Sequence, residues 1–103
     1  MALEGSLGLC ARAGKAVYGS HPVMRALQQG SAKLVIFDPN AGEATVRKFS
    51  LLATNADCPS LIAPVPIGPP VGQKNLAVMA ITHTDFAKRL AEQIRNHVPR
   101  STE

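Results

Sequence analysis

The fold class predicted by the sequence is α/β, a three-layer α/β/α sandwich, because helical and strand-like segments alternate along the chain. Two observations carry that prediction. Apolar residues recur at helical spacing in four segments, and short β-capable apolar runs lie between them, bounded by glycine, proline or polar turn residues. Leu3, Leu7, Cys10 and Ala11 make the first helical stripe, which ends near Gly14. Ala16 to Tyr18 is a short strand-like run. Gly19 and Ser20 then free the backbone for a turn and offer a side-chain oxygen to the first N–H groups of a second helix, whose stripe is Val23, Met24 and Leu27 before Gly30. Lys33 to Phe37 reads as a buried strand and Asp38-Pro39-Asn40 as its exit turn. Glu43 to Asn55 follows as a helix that buries Val46, Phe49, Leu52 and Ala53.

Ser60 to Ala63 is a third short strand. Ala63 to Val71, APVPIGPPV, carries Pro64, Pro66, Pro69 and Pro70, which oppose a regular helix, so an extended or turning connection is expected there. Leu76 to Ile81 is the last strand. Thr82, with Asp85 three residues later, forms a capping-box pattern that opens a helix carrying Phe86, Leu90, Ala91 and Ile94. No internal repeat or linker divides the chain, and residues 1–103 are expected to form a single domain.

Composition narrows the function. With 103 residues and 46% hydrophobic content, the chain can bury a modest core without metal or disulfide support. Its apolar runs are too short to span a bilayer and no leader pattern opens it, which predicts a cytoplasmic protein with no membrane partner. Cys10 and Cys58 lie far apart with no metal-ligand spacing around them, so buried free thiols are expected and no metal or other cofactor. The net charge of +4 suits RNA, anionic lipid or an acidic protein. Its placement is uneven: Arg12, Lys15, Arg25 and Lys33 face only Glu4 in the first 33 residues, and Lys88, Arg89, Arg95 and Arg100 outnumber Glu92 near the end. The latter group reads as a solvated helix face.

No enzyme is expected. Gly8 to Lys15 fails as a phosphate-binding loop: five residues rather than four separate its glycines, Ala16 stands where Ser or Thr is required, and the segment ends a helix instead of opening one. His21, His83 and His97 are not at metal spacing, and no Ser, Cys or carboxylate is grouped with one of them in a catalytic order. There is no catalytic residue to name and no small-molecule substrate to expect.

The start of the second helix is the most informative joint. Unpaired N–H groups and the positive end of the helix dipole favour phosphate, and His21 and Arg25, four residues apart, share a face beside them. Arg25 can hold phosphate or a guanine edge bidentately. Each of these residues also has a purely structural reading: Gly19 as a left-handed turn, Ser20 as a helix cap, Pro22 as a residue tolerated in a first helical turn, and His21 as an exposed neutral imidazole.

Four landmarks stand in order along residues 7–90: LGLCARAGK from Leu7 to Lys15, Gly19 with Arg25 inside GSHPVMRAL, GSAKLVIF from Gly30 to Phe37, and VMAITHTDFAKRL from Val78 to Leu90. In that order and spacing they resemble the kink-turn RNA-binding superfamily of ribosomal proteins, the large-subunit proteins called seven-Ae and thirty-e, and especially its small bacterial YlxQ-like branch. The resemblance implies a small mixed four-stranded central sheet and an RNA-binding function directed at structured RNA, with ribosomal RNA among the partners. It also implies site residues. Gly19 matches the loop glycine, Arg25 the basic position of the second helix, Lys15 a basic residue of the bacterial branch, and Asn40 the position where relatives carry Asp or Asn after the second strand. Lys74 lies near the loop that packs against a flipped-out nucleotide in relatives.

The chain departs from the pattern in two places. Relatives usually place a short helix where this chain has its prolines. Those that bind kink-turns strongly often carry an Asn-Glu pair where His21 and Pro22 stand, and that pair bonds the edges of sheared guanine–adenine pairs. The RNA-binding set expected is thus Lys15, Gly19, Ser20, His21, Arg25, Asn40 and Lys74, recognising bent or bulged RNA. The alternative is a protein-interaction module that keeps the fold without specific kink-turn binding.

Overall fold

A computed structural model describes residues 2–97. Arg100 lies outside them. In chain order the elements are α1 (Leu3–Arg12), β1 (Ala16–Tyr18), α2 (Ser20–Gln29), β2 (Leu34–Phe37), α3 (Glu43–Asn55), β3 (Ser60–Ile62), α4 (Gly68–Val71), β4 (Val78–Ile81) and α5 (Thr84–Arg95). The strands form one mixed sheet in the order β1-β4-β2-β3. β4 runs antiparallel to both β1 and β2, while β2 and β3 are parallel, joined by the crossover helix α3.

The apolar runs LVIF and VMAI explain the layering. Both strands are buried along their whole length, and successive side chains leave a strand on opposite faces. Leu34, Ile36, Met79 and Ile81 therefore pack on one face with Leu3, Leu7 and Cys10 of α1, Ile67 and Leu90. Val35, Phe37, Val78 and Ala80 pack on the other with Val23 and Leu27 of α2 and Phe49 and Ala53 of α3. The result is the expected α/β/α arrangement, with α1, α4 and α5 on one side of the sheet and α2 and α3 on the other. Full burial of Phe37 or Phe49 contributes about 2 to 3 kcal/mol each.

Local differences from the sequence expectation have physical causes. A one-turn helix, α4, does form inside the proline-rich segment. Gly68 opens it, so Pro69 and Pro70 fall in the first turn, where an N–H would have no helical acceptor anyway. Gly72, at φ 73°, closes it: its N–H donates to the Pro69 carbonyl at 3.2 Å, and that of Gln73 donates to Gly68 at 3.0 Å. The short helix implied by the family resemblance is thus kept in its shortest form. The capping box at Thr82 is not formed, because the sheet claims that residue. Its N–H donates to the Lys15 carbonyl at 2.9 Å, and the extended His83 becomes the cap of α5. Likewise Ser20 is the first helical residue and not the cap of α2. That position belongs to Gly19, at φ 91° and ψ 167°, a conformation that only glycine takes without strain.

Candidate nucleic-acid interface

Three loops meet at one end of the sheet. β1 leaves it at Gly19, β2 leaves it at Asp38, and β4 enters it after Ala77. The backbone ties them together: Gly19 N–H donates to Val78 at 2.9 Å and Asp38 N–H donates to Ala77 at 2.9 Å. The segment from Gln73 to Ala77 is a wall shared by two grooves. On one side is a groove of about 790 Å³ that also takes in Asp38, Asn40, Pro66 and Pro69. On the other side a smaller groove of about 290 Å³ is completed by Tyr18, Gly19 and Ser20. Lys74 is exposed on this wall, and the neighbouring Asn75 turns the chain with a positive φ of 54°.

Asp38 joins two of the loops. One carboxylate oxygen accepts the N–H of Asn40 at 2.9 Å, and the other accepts the N–H of Ile67, just before α4, at 3.0 Å. The turn that carries Asn40 and the backbone just before α4, both bordering the larger groove, are therefore fixed to one side chain. Sequence reasoning placed Asp38 only in an exit turn. The bond to Asn40 was legible there, since an Asp that accepts the N–H two residues later is a common turn signature. The bond to Ile67 was not, because it spans 29 residues.

The start of α2 has the electrostatic character that the sequence suggested. Val23 makes the first helical hydrogen bond, to the Gly19 carbonyl at 3.1 Å, and no acidic residue lies in the first turn. Ser20 and His21 precede it, so their N–H groups lack an intrahelical acceptor, and Pro22 has no N–H to offer. Arg25 is exposed one turn along, where a terminal guanidinium nitrogen donates to His21 Nε2 at 3.2 Å. That bond requires the imidazole to carry its proton on Nδ1. With Val17 and Pro22 these two side chains border a further shallow groove on α2.

Lys15 is elsewhere. It precedes β1, whose far end carries Gly19, and four extended residues put roughly 13 Å between them. The structure thus gathers Gly19, Ser20, Asn40 and Lys74 at one end of the sheet, with His21 and Arg25 beside them on α2, and sets Lys15 at the other end.

The remaining reactive groups are subdued. Cys10 and Cys58 are free and buried, as expected. Burial pushes the Cys10 thiol up to about 11. Burial also raises Cys58, partly offset by the nearby Lys33 charge and a backbone hydrogen bond from Val35, and it raises the Tyr18 phenol, with the Cys10 charge adding to it. Among the described residues no group of histidine, cysteine and carboxylate side chains could hold a metal ion, and no helix is long and apolar enough to cross a membrane.

Comparison with known proteins agrees with this architecture. The family model described as ribosomal protein L7Ae/L30e/S12e/Gadd45 family matches residues 1–92. No curated protein sequence matches the chain. Among solved structures, a Bacillus halodurans protein of unknown function is similar at a TM-score of 0.86 and 27% identity, covering 91% of this chain and 97% of that one. A Giardia lamblia 15.5 kD RNA-binding protein is similar at a TM-score of 0.71 and 18% identity, covering 90% of this chain and 82% of that one, a likeness that shows the fold.

Proposed function

The chain belongs to the ribosomal protein L7Ae/L30e/S12e/Gadd45 family, a family of non-enzymatic RNA-binding proteins, and from that premise we propose that it recognises bent or bulged, kink-turn-like RNA with the loop end of its sheet. The observation that carries this reading is the pair of grooves sharing the Gln73–Ala77 wall, since two adjacent grooves suit an RNA whose strand leaves its stack at a bulge. In this mechanism the Ser20 and His21 N–H groups and Arg25 take phosphates at the start of α2. Asn40 and Lys74 close over an unstacked nucleotide, and Gly19 keeps the backbone close to the RNA. Lys15 reaches a different phosphate, because it lies at the other end of β1. The whole chain acts as one RNA-binding domain in the cytoplasm, and ribosomal RNA is a source of such bends.

His21 and Pro22 stand where relatives read base edges, so phosphate contacts dominate and preference among bulged RNAs is weak. Competition binding at fixed salt between a standard kink-turn and another bulged RNA tests this. A small preference is expected, and it should sharpen in the double variant His21→Asn, Pro22→Glu. A parent preference on the order of a hundredfold, about 2.7 kcal/mol, would overturn the account of that pair. Failure of both RNAs to bind would favour the protein-interaction module.

A further inference from the structure

The end of the sheet opposite the RNA-facing loops carries a second basic surface. There Lys15 precedes β1, Lys33 precedes β2, and Thr82 follows β4. The three are neighbours across the sheet, because Thr82 N–H donates to Lys15 at 2.9 Å and Lys33 N–H donates to the Ile81 carbonyl at 2.7 Å. From Lys33 a groove of about 760 Å³ runs along α5, bordered by Lys88, Glu92 and Arg95. Its depth comes from small residues. Ala87 and Ala91 are buried on the face of α5 that meets this groove, and Pro59 closes it from the β3 side, so the longer side chains stand at its rim. Lys88, Glu92 and Arg95 fall at helical spacing on one face, while Arg89 does not line the groove. Lys33, Lys88 and Arg95 are all exposed, and among the described residues Glu92 is the only carboxylate bordering the groove. Lys33 is partly oriented by a long hydrogen bond from its ammonium to the Gly30 carbonyl, at 3.5 Å.

We propose that this groove is a second RNA contact, which grips the phosphate backbone without reading sequence or shape and so lets one protein hold two segments of RNA at opposite ends of its sheet. Among the described residues, three cations against one carboxylate around a trough match a polyanionic strand. The proposal goes beyond the loop-end site, and it gives a role to charges that the sequence alone presents as a solvated helix face.

Two triple variants of the full chain test it: Lys33→Gln, Lys88→Gln, Arg95→Gln in the groove, and Arg47→Gln, Lys48→Gln, Arg89→Gln at exposed positions outside it. Both remove the same net charge. Affinity for a bulged hairpin RNA is measured against salt, and backbone amide shifts of Ala87 to Asn96 are followed on titration with that RNA or with polyglutamate. The groove variant should lose roughly 2 to 3 log units of affinity per log unit of salt from its slope, and the control far less. Its preference for bulged over unbulged RNA should be unchanged. Equal slopes in the two variants would reduce the effect to general charge and overturn the proposal. Shifts with polyglutamate but not with RNA would also overturn it, in favour of an acidic protein partner. RNA that shifts the α5 amides with no preference for a bulge would support the groove while sinking the loop-end reading, and the reverse pattern would do the opposite.

Discussion

Replacing Asp38 should separate the stability of the loop end from its chemistry. Each carboxylate oxygen serves one backbone N–H, at 2.9 Å for Asn40 and 3.0 Å for Ile67, and Ile67 itself is fully buried. A hydrogen bond to a charged acceptor is worth about 1.5 to 3 kcal/mol, and the only partly buried position of Asp38 puts these two at the low end. Asp38→Ala should then cost about 2 to 3 kcal/mol, or roughly 8 to 12 °C in Tm for a chain of this size. Asp38→Asn keeps one acceptor oxygen and turns an NH2 toward the other N–H, so it should recover only about half of that loss. Urea denaturation of the three proteins gives the stability differences, and RNA titration under native conditions shows whether loosened loops also weaken binding. If Asp38→Asn matches the parent, one of the two bonds contributes nothing. If Asp38→Ala costs under about 0.5 kcal/mol, the idea that one side chain ties the Asn40 turn to the start of α4 is refuted.

Gly68→Ala should destabilise by about 1 to 3 kcal/mol, because the new Cβ would meet the Gln73 carbonyl oxygen, a backbone atom, at 2.5 Å; denaturant midpoints check it. Gly19→Ala has room, its nearest neighbour being Pro22 Cδ at 4.0 Å, but it forces a positive φ, so a loss of about 1 to 3 kcal/mol is expected from backbone strain alone. Arg25→Ala should weaken RNA binding and lower the salt slope by roughly 0.7 to 0.9 per lost phosphate contact, and unchanged affinity and slope would remove Arg25 from the interface. Because burial raises Cys10 from the ordinary value of 9.0 to about 11, the folded state holds that proton more tightly than the unfolded chain. Its contribution to stability is complete below pH 9 and is lost as pH rises toward 11, which denaturation at pH 8, 10 and 11 would reveal. Cys10 should also resist iodoacetamide at pH 8 in the folded protein and react once unfolded.

The fold was legible where one local rule decided it. LVIF has no polar residue to face water, which marks a strand buried on both faces, and the stripes of α1, α2, α3 and α5 are set by spacing alone. The prolines misled because position matters more than identity: Pro69 and Pro70 bar a helix interior but fit its first turn. Thr82 misled for another reason, since a strand neighbour competed for the backbone that a cap would have used. At the candidate site, Gly19 could be picked out because it sits at a chain joint, and Arg25 because helical spacing puts it on the same face as His21, one turn into α2. The opposite position of Lys15, the bond from Ile67 to Asp38, and the gathering of Lys33 with Lys88 and Arg95 depend on strand pairing between distant segments, which short-range pattern does not encode.

The hydrogen bond between Arg25 and His21 bears on the cost of capture. A free arginine gives up much of its rotational freedom when a phosphate holds it, a loss of about 0.5 to 1.5 kcal/mol for a long side chain. Here a neighbouring imidazole one turn away has already narrowed that freedom. The guanidinium carries five N–H donors and His21 occupies one, so an incoming anion can take a fork of two others without evicting the imidazole. In the proposed mechanism, the histidine at a position assigned to base reading would act as a rest for the arginine, trading discrimination between nucleotides for a cation held ready before RNA arrives.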